Sequence, residues 1–402
     1  MVSEDSSAYD VIVIGAGLMG SAAARELAVH HQRVLLLEQF EFLHSKGSSH
    51  GPSRIFRLAY PDTTYTAMCK RSLEQWREIE AESGEQLLRF TGELDFALDR
   101  CPELDDVRKT LLQHEIEFEE LDAAQVHARF PGLTVPSTGK GIYNKFAGVL
   151  HPTLACKVLQ ALAAKHGAAL KDKSEVVDIK VNDDGSVCVQ LADGQQVQAR
   201  KVIVTAGPWS QALMEKCAPV TKPNNVRTAV QPSATFGMYW RCKDPANEAL
   251  YDASRFPVFI NYSSPQVYGL PMHDPAYGAK ICMHNGPAIE NPNKRQELRH
   301  PPKEDVEALK SFMDTCFPLV DGTKPHHVDL CMYSMTPDSD FILDFLPVPS
   351  ANGNIDHKSV IMGVGFSGHG AKMTPVIGEI LADLAVKGTT AHPLEKFRLN
   401  RQ

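Results

Sequence analysis

No apolar run in the 402 residues approaches the roughly 18–20 needed for a helix to span a bilayer, so no membrane partner is expected. Positive charge is also scarce. Lys and Arg number 41 against 49 Asp and Glu, the net charge is -8, and no basic stripe stands out, which argues against nucleic acid as a partner. The nine cysteines form no CxxC pair and no zinc-type spacing, so free thiols in a reducing compartment and no metal are expected. His30-His31 and His326-His327 are adjacent pairs that point apart on most elements and make poor metal sites. The first ten residues lack the positive start and apolar stretch of a secretory signal, and the last four, Leu399 to Gln402, are not a Ser-Lys-Leu address. The compartment is therefore expected to be cytoplasmic, or peroxisomal by another route. Asn261-Tyr262-Ser263 matches a glycosylation sequon and reads as chance.

With 43% hydrophobic and 22% charged residues, the chain has the profile of a globular protein of two domains or one interleaved unit. Val11–Ile14 reads as a buried parallel strand, Ser21 to Val29 as a helix, and Arg33 to Glu38 as a second strand ending in an acid. Between the first strand and the helix lies Gly15-Ala16-Gly17-Leu18-Met19-Gly20. Gly15 permits the tight turn, Gly17 lets the backbone approach a pyrophosphate, and Gly20 allows close helix–strand packing. Glu38, placed to accept ribose hydroxyls, completes a dinucleotide-binding unit, with Met19 and Gln39 beside it.

Further along, Thr64 to Ser83, Glu103 to Glu115, Leu154 to His166 and Thr374 to Val386 read as helices. Val176 to Leu191 reads as a hairpin turning at Asn182 to Gly185, and Lys201 to Gly207 as a central strand running into a glycine turn near the cofactor. Gly92 to Gly148 carries short strands and a single helix, and 219–327 turns antiparallel, a sheet that covers the cofactor. Val360 to Val364 returns to the parallel sheet. The expected fold is α/β: a Rossmann-like FAD-binding domain from 1–90, 150–218 and 328–402, interleaved with an antiparallel substrate domain from 91–149 and 219–327. A second glycine-rich turn, Gly363 to Gly370, makes a flavin held from both ends a better reading than a nicotinamide. Gly365-Phe366-Ser367-Gly368-His369 fails the nucleophile-elbow pattern at its last position, so a serine hydrolase is not expected.

Three segments, Gly47 to Arg57, Cys331-Met332-Tyr333 and Gly365 to Lys372, resemble the monomeric sarcosine oxidase family, which includes L-pipecolate and N-methyltryptophan oxidases. The likeness runs from about Asp10 to the last helix. Leu35 to Phe40 and Met332 to Asp338 resemble the eukaryotic branch more than the bacterial one. The resemblance implies FAD attached covalently through Cys331, which by itself reads as a small buried strand residue. It implies that Arg57 and Lys372 clamp a substrate carboxylate, a task suited to a planar guanidinium and a point charge. Lys280, alone an ordinary strand lysine, matches the position that activates oxygen, with His284 four residues on.

The likeness further sets His50 and Arg54 against the flavin ring and Tyr268, His284 and Tyr333 along the pocket. Ser48, Gly207, Gly365, Phe366, Gly368, His369 and Gly370 also fall among the flavin contacts, His369 in a turn whose helix N-terminus faces the ring. One residue is inserted between Tyr268 and Lys280 relative to the bacterial pattern, and near Tyr277 it suggests a changed lid. The implied activity is oxidation of a small anionic secondary amino acid (sarcosine, L-pipecolate or L-proline) to an imine, with O2 reduced to hydrogen peroxide, by a monomer. Oxidases of bulkier or sugar-modified amino acids, an NAD-dependent dehydrogenase and a non-catalytic flavin-binding protein are the alternatives.

Overall fold

The structure, a computed structural model, describes residues 9–217, 229–274 and 276–401. The expected domain boundary at 218/219 lies outside them. Strand Tyr9–Ile14 runs parallel to Val34–Leu37 on one side and to Gln196–Val204 on the other, with Ile12 opposite Leu35 and Val202. Its last four residues are buried, which is why an unbroken apolar run suits a strand covered on both faces. Ala169–Lys171 and Val360–Val364 extend the sheet in parallel, and the hairpin Val176–Val181 and Val187–Leu191 closes one edge antiparallel.

Three helices cover this sheet, Leu18–Val29, Pro152–Lys165 and Thr374–Lys387. Gly378 lets the last approach the first, since a Cβ there would sit 2.8 Å from the Ala22 Cβ. Helix Thr63–Ser83 starts where the Asp62 side chain accepts the Thr64 and Tyr65 N–H groups and stops at left-handed Gly84. Its Trp76, fully buried, donates its indole N–H to the Lys372 carbonyl at 3.1 Å and so anchors the turn that carries Lys372.

The second sheet runs in the order His327–Met335, Gln231–Trp240, Ala279–Met283, Val267–Leu270, Val258–Asn261, Glu93–Ala97, Lys140–Asn144, Glu119–Asp122. It is antiparallel except where Val258–Asn261 lies parallel to Glu93–Ala97. Three expectations need correction. Strand His327–Met335, assigned to the FAD-binding part, pairs with Gln231–Trp240 in this second sheet. Helix Lys303–Cys316 interrupts the stretch read as antiparallel; it buries Leu309, Phe312, Met313 and Cys316 at helical spacing. A second short helix, Ala123–Arg129, follows Glu103's helix, begun by a capping box between Asp122 and Gln125.

In the strands either side of the loop that carries Tyr277, Tyr268 faces Cys282 and Leu270 faces Lys280. Tyr277 packs on Tyr239 and His327 at ring distances of 5.4 and 4.8 Å and lines neither of the two cavities.

Candidate active site

Two cavities meet between the sheets. The first, about 530 Å³, starts at Glu38 and Gln39, passes Gly15, Gly17 and Met19, and continues by Gly207 and Ser48. Its far end is formed by Arg54, Tyr333, Phe366, Gly368 and Gly370. Gly15 has φ 97°, and a Cβ on it would come within 2.6 Å of the Thr205 carbonyl oxygen. At Gly17 a Cβ would meet Ser49 Oγ at 2.9 Å, the atom that accepts the Leu18 N–H. Gly20 and Gly365 line neither cavity; they shape the turns from behind. A Cβ on Gly20 would overlap the Gly15 carbonyl oxygen.

Glu38 is buried, which would raise its carboxyl, but His44 and the N–H groups of Phe40 and Ala16 bring it below its ordinary value. The Ala16 N–H reaches it at 2.9 Å. An ionised acid at a strand end can accept from ribose hydroxyls, and the glycine turn beside it can donate its N–H groups to a pyrophosphate.

The second cavity, about 430 Å³, opens from the first across Arg54, Tyr333, Gly368 and Ala371, which line both. It gathers Arg57, Lys372, Lys280, His284, Tyr268 and Cys331 from five segments far apart in sequence. His50 and His369, expected at the flavin, also lie on this cavity's wall and not on the first. Cys331 Sγ accepts from Arg54 Nη2 at 3.2 Å, while the same guanidinium donates to the carbonyls of Ser48 and Ser53. Burial alone would raise the thiol, yet Arg54, a hydrogen bond from His50 and the charge on Lys280 lower it to about 6. A buried sulfur that favours the thiolate therefore stands in the second cavity, against the Arg54 that lines both.

Arg57 and Lys372 flank Tyr60. The guanidinium lies 4.1 Å from the Tyr60 ring centroid and donates to the Tyr262 hydroxyl at 2.9 Å. Lys372 Nζ donates to the Tyr60 hydroxyl at 3.0 Å and to the His369 carbonyl at 2.9 Å. Lys372 belongs to a 3-10 turn, Ala371–Met373, just ahead of the last helix and not to the helix itself. Burial and Arg57 push its ammonium down to about 7.

Burial, Lys372 and Arg57 together push His284 down to about 4, and burial and Lys372 push His369 well below its usual range, so both rings are neutral. His369 is held by Tyr60 at Nδ1 and the Ser339 carbonyl at Nε2. Lys280 is 5% exposed, with Nζ 5.5 Å from the Tyr239 centroid and burial lowering its ammonium. Asp329 lines the cavity with it. Sequence reasoning missed Tyr60, Tyr262 and Asp329. Only their place in the fold marks them, since each lies in an unremarkable local context.

A glycine-walled cavity with an ionised acid at one end, opening across Arg54 and Tyr333 into a second that holds Cys331 and two cations, fits an FAD and a small substrate beside it. The sequence model of the "FAD dependent oxidoreductase" family matches residues 10–384. Curated relatives are similar over the whole chain, among them the "Probable sarcosine oxidase" of Arabidopsis thaliana, 36% identical over all of this chain and 94% of that one. The chain belongs to the monomeric sarcosine oxidase family of FAD-dependent oxidoreductases. It is 33% identical to the "Peroxisomal sarcosine oxidase" of Homo sapiens over 98% of this chain and 96% of that one.

Among solved structures, the L-proline dehydrogenase from P. horikoshii is similar with a TM-score of 0.79, at 20% identity over 98% of this chain and 97% of that one. NikD, an unusual amino acid oxidase essential for nikkomycin biosynthesis, is similar with a TM-score of 0.77 at 23% identity over 97% of both chains. These two likenesses show the fold. This sarcosine oxidase family member is thus an FAD-dependent amine oxidase, which sets the NAD-dependent dehydrogenase alternative aside. Among the described residues no helix is long and apolar enough to cross a membrane, and no group of His, Cys, Asp or Glu could hold a metal ion.

The turn itself is testable. Gly20→Ala is expected to destabilise the protein by about 1–3 kcal/mol through overpacking and to yield protein depleted in FAD. Melting temperature and flavin absorbance per protein would check it; an unchanged melt and full flavin content would show that the Gly15–Gly20 contact is slack.

Proposed function

We propose that the enzyme oxidises a small secondary amino acid, sarcosine, L-pipecolate or L-proline, to its imine, with O2 as acceptor and hydrogen peroxide as product. The observation that carries this reading is the placement of Arg57 and Lys372 either side of Tyr60, on the wall of a cavity of about 430 Å³ that also holds Lys280 and the Cys331 thiolate. Bound FAD supplies the two-electron chemistry.

The chain's own groups do the rest. Arg57 and Lys372 hold the substrate carboxylate, the guanidinium as a planar fork and the ammonium as a point charge that an arriving anion keeps protonated. A secondary ammonium loses its proton at roughly pH 10 in water, and these cations favour the neutral amine that oxidation requires. His284 and His369, both neutral, add no competing charge. His284 packs between Tyr268 and Tyr333, with ring distances of 6.1 and 5.3 Å, and helps shape the space for the amine's substituent. Lys280 supplies positive charge where oxygen is reduced.

A division into FAD-binding segments and a substrate domain, with strand His327–Met335 in the second, a monomeric state and a cytoplasmic or peroxisomal location belong to the same proposal. The name of the human relative, with "peroxisomal" in it, supports the second location.

Anaerobic titration of the purified protein with sarcosine and with L-pipecolate, followed by flavin absorbance, tests the reading. Bleaching by at least one of them is expected. A flavin left oxidised by both, and by L-proline, would overturn it in favour of a bulkier substrate or a non-catalytic flavin protein.

A further inference from the structure

Two ionisable groups behind the substrate cavity have no part in the chemistry above. Glu93 and Asp95 are 0% exposed, yet both face Arg57. They stand two residues apart on strand Glu93–Ala97 and so share one side of the sheet, while Leu94 and Phe96 fill the core on the other. Arg57 Nη1 lies 3.7 Å from Glu93 Oε1 and 3.5 Å from Asp95 Oδ1. Asn144 donates to the other Glu93 oxygen at 3.0 Å, and the Tyr262 hydroxyl accepts from Arg57 at 2.9 Å.

Two oxygens remain, Glu93 Oε1 and Asp95 Oδ2, that receive no hydrogen bond from any N–H or from a hydroxyl. Two carboxylates only accept, so a hydrogen bond that satisfies these two oxygens against each other requires a proton between them. Burial and the neighbouring Asp95 push Glu93 well above its usual range; burial raises Asp95 as well, with Arg57 opposing. One guanidinium cannot neutralise two bare buried carboxylates, and keeping one proton removes the excess charge.

We propose that Glu93 and Asp95 are positioning residues of the carboxylate subsite: sharing one proton, they place a single negative charge behind Arg57 and so match the subsite to a monocarboxylate. This rests on the reading of Arg57 and Lys372 as the substrate's carboxylate clamp. With Lys372 protonated, the two cations and the pair's one negative charge leave one positive charge for the ligand. Were both acids ionised, the subsite would be neutral and would hold a carboxylate poorly. With neither, it would carry two positive charges and bind any small carboxylate more tightly. The acids also seat the guanidinium through Nη1.

The signature is non-additivity. Glu93→Gln leaves Asp95 as an ionised partner of Arg57, and Asp95→Asn leaves Glu93, so the charge behind the guanidinium is the same in either. Calorimetric titration of the holoenzyme with acetate, below the lowered Lys372 value, should show each single variant within about threefold of wild type and the double variant binding about tenfold more tightly.

A double variant no tighter than wild type, or single variants that each show the full gain, would overturn the proposal. Failure of wild type to bind acetate would instead overturn the clamp reading, and this inference with it. The infrared spectrum covers the case of a double variant that does not fold. A protonated-carboxyl stretching band, shifted in heavy water, should be present in wild type and absent from both single variants. Its absence from wild type, or its persistence in both, would refute the shared proton.

Discussion

Lys280→Met is expected to leave reduction of the flavin by amino acid within about threefold and to slow its reoxidation by oxygen by roughly 10²–10³-fold, the range seen when one preorganised electrostatic donor is removed. Lys280 sits on strand Ala279–Met283, 5% exposed, its chain lying over Gly237 so that a Cβ there would be 3.3 Å from Lys280 Cε. Burial and the nearby Arg54 work against its charge, and Cys331 and Asp329 partly offset that. Oxygen reduction builds negative charge, and a desolvated cation nearby stabilises it far more than one in water could.

In the proposed reading substrate reduction depends instead on Arg57 and Lys372, which methionine at 280 leaves in place. Methionine keeps the length and apolar stem of lysine, so the fold should tolerate it. Stopped-flow measurement of the two half-reactions separates them. Equal slowing of both would mean that Lys280 shapes the cavity rather than serving oxygen.

Cys331→Ala is expected to convert a flavin that stays with acid-precipitated protein into one released completely to the supernatant. The thiol's surroundings make it reactive. Burial raises it, but Arg54 at 3.2 Å, His50 and Lys280 lower it to about 6, so at neutral pH the nucleophilic form predominates. The thiolate fraction is near full above that value and falls about tenfold for each pH unit below it. Attachment of FAD to apoprotein should therefore be level above about pH 6 and slow progressively in acid. Wild-type flavin extracted by acid, or retained after the substitution, would sink the covalent assignment. A rate still climbing between pH 7 and 9, the span of an ordinary thiol at about 8.5, would show that Arg54 does not activate the sulfur.

Much of the nucleotide end is legible in the chain's local patterns. Strand, glycine turn, helix, strand and acid all fall between Val11 and Glu38, and each depends on near neighbours: an apolar run for a covered strand, Gly15 for a left-handed φ, Gly20 for a close approach. The catalytic end is legible only through resemblance. Cys331, Lys280 and Arg57 look ordinary in their own segments, and the resemblance names them without saying what lies beside them. That Arg54 reaches Cys331 across 277 residues, or that Tyr60 separates Arg57 from Lys372, is a product of strand pairing and helix docking.

The same limit hid helix Lys303–Cys316 inside a stretch read as antiparallel. It also hid the acids of Glu93-Leu94-Asp95-Phe96, where alternation reads as a wet face opposite a dry one. Alternation tells which residues share a side of a strand; it cannot tell what covers that side. Here the covering groups are Arg57, Tyr262 and Asn144, brought from three other segments. Charge state follows the same rule. Sequence by itself determined the cofactor class and the local turns that cradle it, because those rest on short-range sterics. Tertiary structure alone decided which acids, thiols and amines are buried together, and burial, through the loss of water around a charge, sets whether each carries its proton.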